Sequence, residues 1–279
     1  ARAGAGAGQS TGKSSGKSRL QPRGNPGLFL LLDFFGLELY SLSQTNQQEG
    51  KVIMDKVKSY EDVAVRDSGH LGIVVHPCEH AGAIIINCPG FRGHINGYNN
   101  KYVTLADFLV RQNVGAVVRM PNIERPQAEY KHELLDDLRA VMDYALLFAE
   151  EITGVPDPEI YLMGFSAGGY AVASVAAEYP QVTKILLMAP SGPHGDSLSK
   201  FSGDVYIAIG NNDTVVGSDS GGKYYELATG ARTRQLVFIN NCDHQFTGRV
   251  NGQIMSKAPL WAFAGDRTFP SPDGGIVLY

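Results

Sequence analysis

The sequence predicts an α/β protein in which helices cover both faces of a twisted, mostly parallel sheet. Short apolar runs rich in valine and isoleucine alternate along the chain with stretches that carry apolar residues every three or four positions. This alternation is typical of parallel α/β domains. The 279-residue chain is also 43% hydrophobic and 19% charged, which is the composition of a protein with a sizeable buried core.

The first half of this pattern contains four predicted strands and two predicted helices. Strands are predicted where β-branched runs end at turn residues, at EDVAVRD, HLGIVVHP, AGAIIINCPG and GAVVRM. One helix is predicted at YVTLADFLVRQN. A second helix is predicted over EYKHELLDDLRAVMDYALLFAEEI, because its apolar side chains recur three and four positions apart, as in an amphipathic helix that covers a sheet.

The second half continues the same alternation. Further strands are predicted at EIYLMGF, KILLMAP, DVYIAIG and RQLVFIN, and helices at AGGYAVASVAA and KYYELATG. No internal repeat is visible, so residues 54–279 are predicted to form one domain.

The first 53 residues differ in composition from the rest. Residues 1–27 are rich in glycine, serine and lysine and lack a hydrophobic period, which is typical of disorder. They include AGQSTGKS, a loose match to a phosphate-binding loop, but without the apolar strand that must precede one. The run GLFLLLDFFGLELY is too short and too charged to span a membrane. We expect residues 1–53 to be a disordered or non-native extension of a cytoplasmic protein, with a weak secretion signal as the alternative.

Composition also narrows the classes of partner and cofactor. A net charge of −4 gives no reason to expect nucleic acid or an anionic membrane as a partner. The three cysteines, at positions 78, 88 and 242, are too few and too scattered for a disulfide framework or a zinc site. The segment HPCEH at residues 76–80 groups candidate metal ligands (His76, Cys78, Glu79 and His80) without a distant partner, and we interpret it as a hairpin turn. We therefore expect no cofactor and no metal.

Three polar side chains with catalytic potential follow three predicted strands. Ser166 lies in GFSAGG after the strand EIYLMGF, Asp213 in GNNDTVV after DVYIAIG, and His244 in CDHQF after RQLVFIN. Ligands of open α/β sheets bind at the carboxyl ends of the strands. A serine hydroxyl becomes a useful nucleophile when a histidine removes its proton and a carboxylate orients that histidine. We therefore interpret Ser166 as a nucleophile, His244 as its base and Asp213 as the acid.

The glycines beside the serine favour this interpretation. A strand that turns sharply into a helix crowds the positions two before and two after the serine, which are Gly164 and Gly168. A tetrahedral oxyanion needs two backbone donors. The predicted donors are the N–H of Ala167, after the nucleophile, and the N–H of Phe91, in the loop CPGFRG after the third strand.

Each catalytic assignment has a simpler alternative. Ser166 is also a suitable N-cap for the following helix, and His244 is also suited to a surface loop. Asp213 is compatible with a turn in which it bonds its own backbone. In that case Asp196 or Asp243 would supply the acid.

From residue 54 onward the chain resembles the α/β-hydrolase superfamily, through GFSAGG, PGFRG, GNNDTVV and CDHQF. It is most similar to compact esterases of the dienelactone-hydrolase-like kind. The relatives with lactone activity use cysteine where this chain has Ser166, which favours a general serine esterase. The resemblance implies an α/β-hydrolase fold. The connection at residues 191–204, between the sixth and seventh strands, is too short for a large cap domain.

The implied activity is the hydrolysis of carboxylic esters through an acyl-enzyme, with a small-molecule ester of short acyl chain as the substrate. Thioesterases, amidases and peptidases use the same three residues, so these activities remain alternatives. A non-catalytic binding protein on a hydrolase scaffold is a further alternative, but all three catalytic residue types are present. The sequence specifies neither the natural acyl group and alcohol nor the oligomeric state.

Overall fold

The computed structural model describes residues 58–65, 69–124, 130–192, 196–269 and 275–278, the last four by their backbone alone. These residues belong to one compact unit. The interpretation of residues 1–53 concerns a segment outside this described part. The strands are β1 (Ser59–Val65), β2 (Gly69–His76), β3 (Ala83–Cys88), β4 (Ala116–Arg119), β5 (Glu159–Phe165), β6 (Val182–Met188), β7 (Asp204–Gly210), β8 (Thr233–Ile239) and β9 (Gly275–Leu278).

The strands form a single sheet in the order β1-β2-β4-β3-β5-β6-β7-β8-β9. The six strands from β4 to β8 in this order are parallel to their neighbours. β1, β2 and β9 pair antiparallel at the two ends. Parallel strands need long crossovers, which the intervening helices supply. The predicted fold class, a mostly parallel sheet with helices, is confirmed.

Helices cover both faces of the sheet. Every residue of β3 and β4 is buried, and a strand buried on both faces needs cover on both sides. The helices are α1 (Lys101–Arg111), α2 (Tyr130–Leu147), α3 (Ala149–Thr153), α4 (Ala167–Val175), α5 (Asp219–Leu227) and α6 (Arg249–Ala264). No helix in the described ranges combines the length and the apolarity that a bilayer crossing demands.

The structure corrects three features of the predicted element order. The long helix predicted through residue 152 ends at Leu147, and α3 begins after Phe148, whose φ of −105° and ψ of 21° leave the helical range. The hairpin predicted at residues 76–80 is wrong, because β4 lies between β2 and β3. The sequence reading also missed α6 and β9. Gly252 and Pro259 lie within α6 and weaken its helical pattern.

The turn from β5 into α4 is crowded by backbone atoms. A Cβ atom on Gly164 would lie 2.3 Å from the carbonyl oxygen of Gly168. One on Gly168 would lie 2.1 Å from the carbonyl oxygen of Cys88, at the end of β3. Both distances are far below van der Waals contact, and backbone cannot move aside as a flexible side chain can. Only glycine fits at either position, as the sequence predicted.

A buried polar network joins β2, β4 and α1. Arg119, at the end of β4, donates from Nε to His76 Nε2 at 2.8 Å. His76 Nδ1 lies 3.1 Å from a carboxylate oxygen of Asp107, which also pairs with Lys58 at 2.7 Å. Because a guanidinium only donates, the His76 Nε2 atom accepts and the proton of the neutral ring lies on Nδ1. Burial lowers the pKa of His76 to about 4, and the charge of Arg119 acts in the same direction against a partly opposing effect of Asp107.

We expect Gly168→Ala to lower the free energy of unfolding by about 3 kcal/mol or more, because overpacking against immovable backbone is costly. The measurement is chemical denaturation of the purified protein. Gly222→Ala is the matched control, since a Cβ atom at this helical position has no atom within 4 Å. Alanine should stabilise that position by about 0.5–1 kcal/mol. Equal stability of the two variants would contradict the crowding.

The buried His76 should make the protein less stable as the pH falls from 6.5 to about 4. In this window the unfolded chain binds a proton at His76 that the folded chain does not, so protonation favours unfolding. The contribution of neutral His76 to the free energy of unfolding is fully present above pH 6.5. Its loss at lower pH amounts to at most about 3 kcal/mol. We expect the melting temperature of His76→Gln to fall less steeply than that of the unchanged protein over the same window. Parallel melting curves against pH would contradict the assignment.

Candidate active site

Ser166, His244 and Asp213 form one hydrogen-bonded chain at the carboxyl edge of the sheet. Ser166 Oγ lies 3.0 Å from His244 Nε2. His244 Nδ1 lies 2.8 Å from Asp213 Oδ2. An ionised carboxylate only accepts, so Nδ1 carries the ring proton and Nε2 presents its lone pair to the serine hydroxyl. The structure therefore brings together the three side chains that the sequence singled out.

Ser166 occupies the tight turn between β5 and α4. Its φ of 53° and ψ of −116° are unfavourable for a residue with a side chain. Three backbone hydrogen bonds hold this conformation: Ser166 N–H donates to Met188 O at 2.9 Å, and Ser191 N–H and Tyr170 N–H donate to Ser166 O at 3.0 and 3.2 Å. The residue stands at the N-cap position of α4, but its side chain makes no capping bond. The hydroxyl is instead directed to His244.

Asp213 is buried and uses both of its carboxylate oxygens. Oδ1 accepts the N–H groups of Val215 and Val216 at 2.9 and 3.1 Å, and Oδ2 faces His244. The turn interpretation and the acid interpretation of Asp213 are therefore compatible, one for each oxygen. The two valine N–H groups compensate part of the cost of burying the charge. No sequence pattern marks these donors, since every residue except proline supplies a backbone N–H.

The two alternative acids lie apart from this chain of contacts. Asp243 Oδ1 accepts the N–H of Thr247 at 2.8 Å, and this backbone hydrogen bond lowers the pKa of the Asp243 carboxyl. Asp196 is exposed at the start of a 3-10 helix. Neither carboxylate makes a hydrogen bond to His244 in the described part of the chain.

His244 is 4% exposed and is held by its aromatic neighbour Phe165. The two ring centroids lie 5.2 Å apart at an interplanar angle of 35°. Phe246 adds an edge contact to Phe165 at 6.3 Å. Packing of this kind restricts the imidazole to the orientation in which Nε2 faces Ser166 Oγ. The sequence analysis did not identify Phe165, whose apolar side chain resembles any other strand residue.

The two predicted oxyanion donors flank the serine. Ala167 N–H, at the first position of α4, has no acceptor among the described residues. A Cβ atom on Gly90 would lie 3.2 Å from Ser166 Cβ, so the peptide that joins Gly90 to Phe91 runs close beside the serine. The Phe91 side chain points outward and is 52% exposed. A negative oxygen bound at Ser166 would also benefit from the positive end of the α4 dipole.

The cysteines offer no competing nucleophile. All three are buried and free. Burial raises the pKa of the Cys88 thiol well above its usual range, and it raises the pKa of Cys242 to about 12. A protonated, inaccessible thiol is unreactive. No group of three or more histidine, cysteine, aspartate or glutamate side chains suited to a metal occurs within the described ranges.

The fold is shared with solved hydrolase structures. A dienelactone hydrolase from Anabaena variabilis is 19% identical with a TM-score of 0.58, over 74% of this chain and 98% of that one. A lidless α/β serine hydrolase from Xanthomonas campestris is 20% identical with a TM-score of 0.55, over 74% and 96%. An esterase domain from Rhodothermus marinus is 16% identical with a TM-score of 0.56, over 72% and 95%. No protein-family model and no curated protein sequence matches the chain.

These likenesses cover nearly the whole length of the compared structures. Sequence identity of 20% or less supports a statement about the fold alone. Taken with the sharp turn at the end of β5, they show that the chain has the α/β-hydrolase fold found in dienelactone hydrolases and esterases.

Proposed function

We propose that the protein is a serine hydrolase that cleaves carboxylic esters through an acyl-enzyme intermediate. The observation that carries the proposal is the continuous chain from Ser166 Oγ through His244 to Asp213, with distances of 3.0 and 2.8 Å. Both links lie within the range expected between a nucleophile, its base and the group that orients the base. A serine that only capped a helix would not need a buried histidine and a buried carboxylate behind it.

The reaction follows from these positions. His244 Nε2 takes the proton of Ser166 as Oγ attacks the ester carbonyl carbon, and Asp213 stabilises the imidazolium that forms. His244 then gives this proton to the leaving alkoxide as the tetrahedral intermediate collapses. The acyl group remains on Ser166. Water, deprotonated by the same histidine, attacks the acyl-enzyme and releases the acid.

The N–H groups of Phe91 and Ala167 would bind the oxyanion of the tetrahedral intermediate. Donors fixed by the backbone need no reorganisation as charge develops, and one such donor is worth about 3–4 kcal/mol of transition-state stabilisation. The solved structures of similar fold include esterases and dienelactone hydrolases, which supports ester hydrolysis. Thioesters and amides remain alternative substrates for the same residues.

The access to Ser166 favours substrates with short acyl groups. The described part of the connection between β6 and β7 contains one 3-10 helix, Ser197–Lys200, and the whole connection is too short for a helical cap. Without a cap, most of a long acyl chain would stay in water, and each methylene left exposed forgoes about 0.8 kcal/mol of binding free energy. Bulky alcohols should be tolerated, since the connection between β6 and β7 is too short to enclose the leaving group.

We expect Ser166→Ala and His244→Ala each to lower kcat for an activated ester by roughly 10³–10⁶-fold, while the double variant loses little more than either single one. Asp213→Asn should cost about 10⁴-fold, because the amide favours the wrong tautomer of His244. The measurements are steady-state kinetics and labelling of Ser166 by a fluorophosphonate probe. Asp243→Asn is the control and should stay within about threefold of the unchanged protein. Multiplicative losses in the double variant would contradict a shared mechanism.

We expect kcat/KM for a series of p-nitrophenyl esters to peak at short acyl chains of about two to six carbons, because only the first methylenes can be buried. The rate should rise smoothly with substrate concentration and show no jump where an emulsion forms. A maximum at twelve carbons or more would mean that another segment covers the site.

A further inference from the structure

We propose that Arg119 is a positioning residue, which fixes the loop that carries the Phe91 N–H and thereby sets how tightly the protein binds an oxyanion. The loop in question, called here the β3–α1 loop, comprises residues 89–100. The proposal rests on the ester-hydrolase function proposed above. It concerns a side chain on β4 that touches neither the substrate nor the three residues of the hydrogen-bonded chain.

Arg119 is an unusual residue for its position. It is the last residue of a fully buried strand and is 2% exposed. A buried guanidinium is costly unless its N–H groups are satisfied. Arg119 forms no ion pair within the described ranges. Its N–H groups donate instead to neutral acceptors, and two of these acceptors lie on the β3–α1 loop.

The contacts of the guanidinium with the loop are short and directional. Arg119 Nη1 donates to the carbonyl oxygen of Ile95 at 2.7 Å and to Asn96 Oδ1 at 2.9 Å. Hydrogen bonds from a charged donor are stronger than those between neutral groups. One nitrogen therefore holds both the backbone and a side chain of the loop, four and five residues beyond Phe91.

A contact outside the loop also holds the guanidinium. Its Nε donates to His76 Nε2 at 2.8 Å, and His76 is tied to Asp107 on α1. The planar fork cannot rotate without losing either the loop or the imidazole. Arg119 thus has one orientation, fixed by His76 on β2, which Asp107 on α1 holds in turn.

The β3–α1 loop needs such anchors because its backbone is strained. Arg92, Asn99 and Asn100 have φ values of 55°, 50° and 58°. Residues in this left-handed region persist where surrounding contacts over-determine them. The near half of the loop is held by Gly93, whose N–H donates to Gly90 O at 2.8 Å and whose carbonyl accepts the N–H of Asn122 at 2.9 Å. Arg119 holds the far half.

An anchor of this kind affects catalysis selectively. The Phe91 N–H matters when negative charge develops on the substrate oxygen, and much less when the neutral ester binds. A loop released by loss of the anchor would bind the ester nearly as before and stabilise the oxyanion less well. The expected result is a lower kcat at nearly constant KM.

The test uses Arg119→Lys, which keeps the positive charge but replaces the fork by a single ammonium that cannot reach both partners. We expect kcat for p-nitrophenyl acetate to fall by about 10- to 100-fold with KM changed less than about threefold. The inhibition constant of phenylboronic acid, whose adduct with Ser166 places an oxygen between the oxyanion donors, should rise by a similar factor.

Two further variants separate positioning from folding. Asn96→Ala removes one acceptor of the same nitrogen from a half-buried loop residue, and it should shift kcat and boronate affinity in the same direction by a smaller factor. Arg232→Lys is the control, because Arg232 binds Asp204 through two nitrogens at 2.9 and 2.5 Å at the amino ends of β7 and β8. It should leave kcat and boronate affinity unchanged.

The outcomes distinguish this proposal from the function on which it rests. If the unchanged protein hydrolyses esters but Arg119→Lys and Asn96→Ala match it in kcat and boronate affinity, the positioning role is wrong and the function stands. A fall in kcat with unchanged boronate affinity would also overturn the role. If the wild-type protein neither hydrolyses esters nor reacts with fluorophosphonate at Ser166, the proposed function itself is wrong.

Discussion

The strained backbone of Ser166 determines how the turn from β5 into α4 packs against the ends of β3 and β6. A φ of 53° with a ψ of −116° costs on the order of 1–3 kcal/mol for a residue with a side chain. It persists because three backbone hydrogen bonds hold it and because Gly164 and Gly168 pack tightly against neighbouring backbone atoms. In this conformation the hydroxyl makes no capping bond to α4 and lies within hydrogen-bond distance of His244. The strain at this position and the placement of the Ser166 hydroxyl beside His244 have the same cause.

Strand order converts this turn into a site with opposite charges on its two sides. Ser166 follows β5, near the middle of the sheet. On the side of β7 and β8 lies the buried carboxylate of Asp213, and on the side of β4 lies the buried guanidinium of Arg119. The Asp213 carboxylate accepts backbone N–H groups and faces the His244 imidazole. The Arg119 guanidinium donates to two carbonyl oxygens and to the His76 imidazole. In the proposed mechanism Asp213 stabilises the imidazolium of His244, and Arg119 acts on the oxyanion only through the loop that carries the Phe91 N–H.

Local patterns predicted most of the element order and the three residues of the hydrogen-bonded chain, because strand periodicity and the sequence around Ser166 are properties of short segments. Contacts between distant segments were not predictable in the same way. The hairpin expected at residues 76–80 failed because β4, forty residues further on, inserts between β2 and β3. The role of Arg119 was hidden for the same reason, since its partners Ile95 and His76 come from two other elements.

The two proposed oxyanion donors are coupled by backbone contact alone. Gly168 lies so close to the end of β3 that an added Cβ atom would be 2.1 Å from Cys88 O and 2.6 Å from Pro89 O. The turn that carries Ala167 therefore contacts the backbone of the segment that leads to Phe91 directly. No side chain lies between them that could move aside. This contact sets the near end of the β3–α1 loop, and Arg119 sets its far end. Because neither donor uses its side chain, the position of the two N–H groups depends on the backbone path and not on the side-chain types at residues 91 and 167.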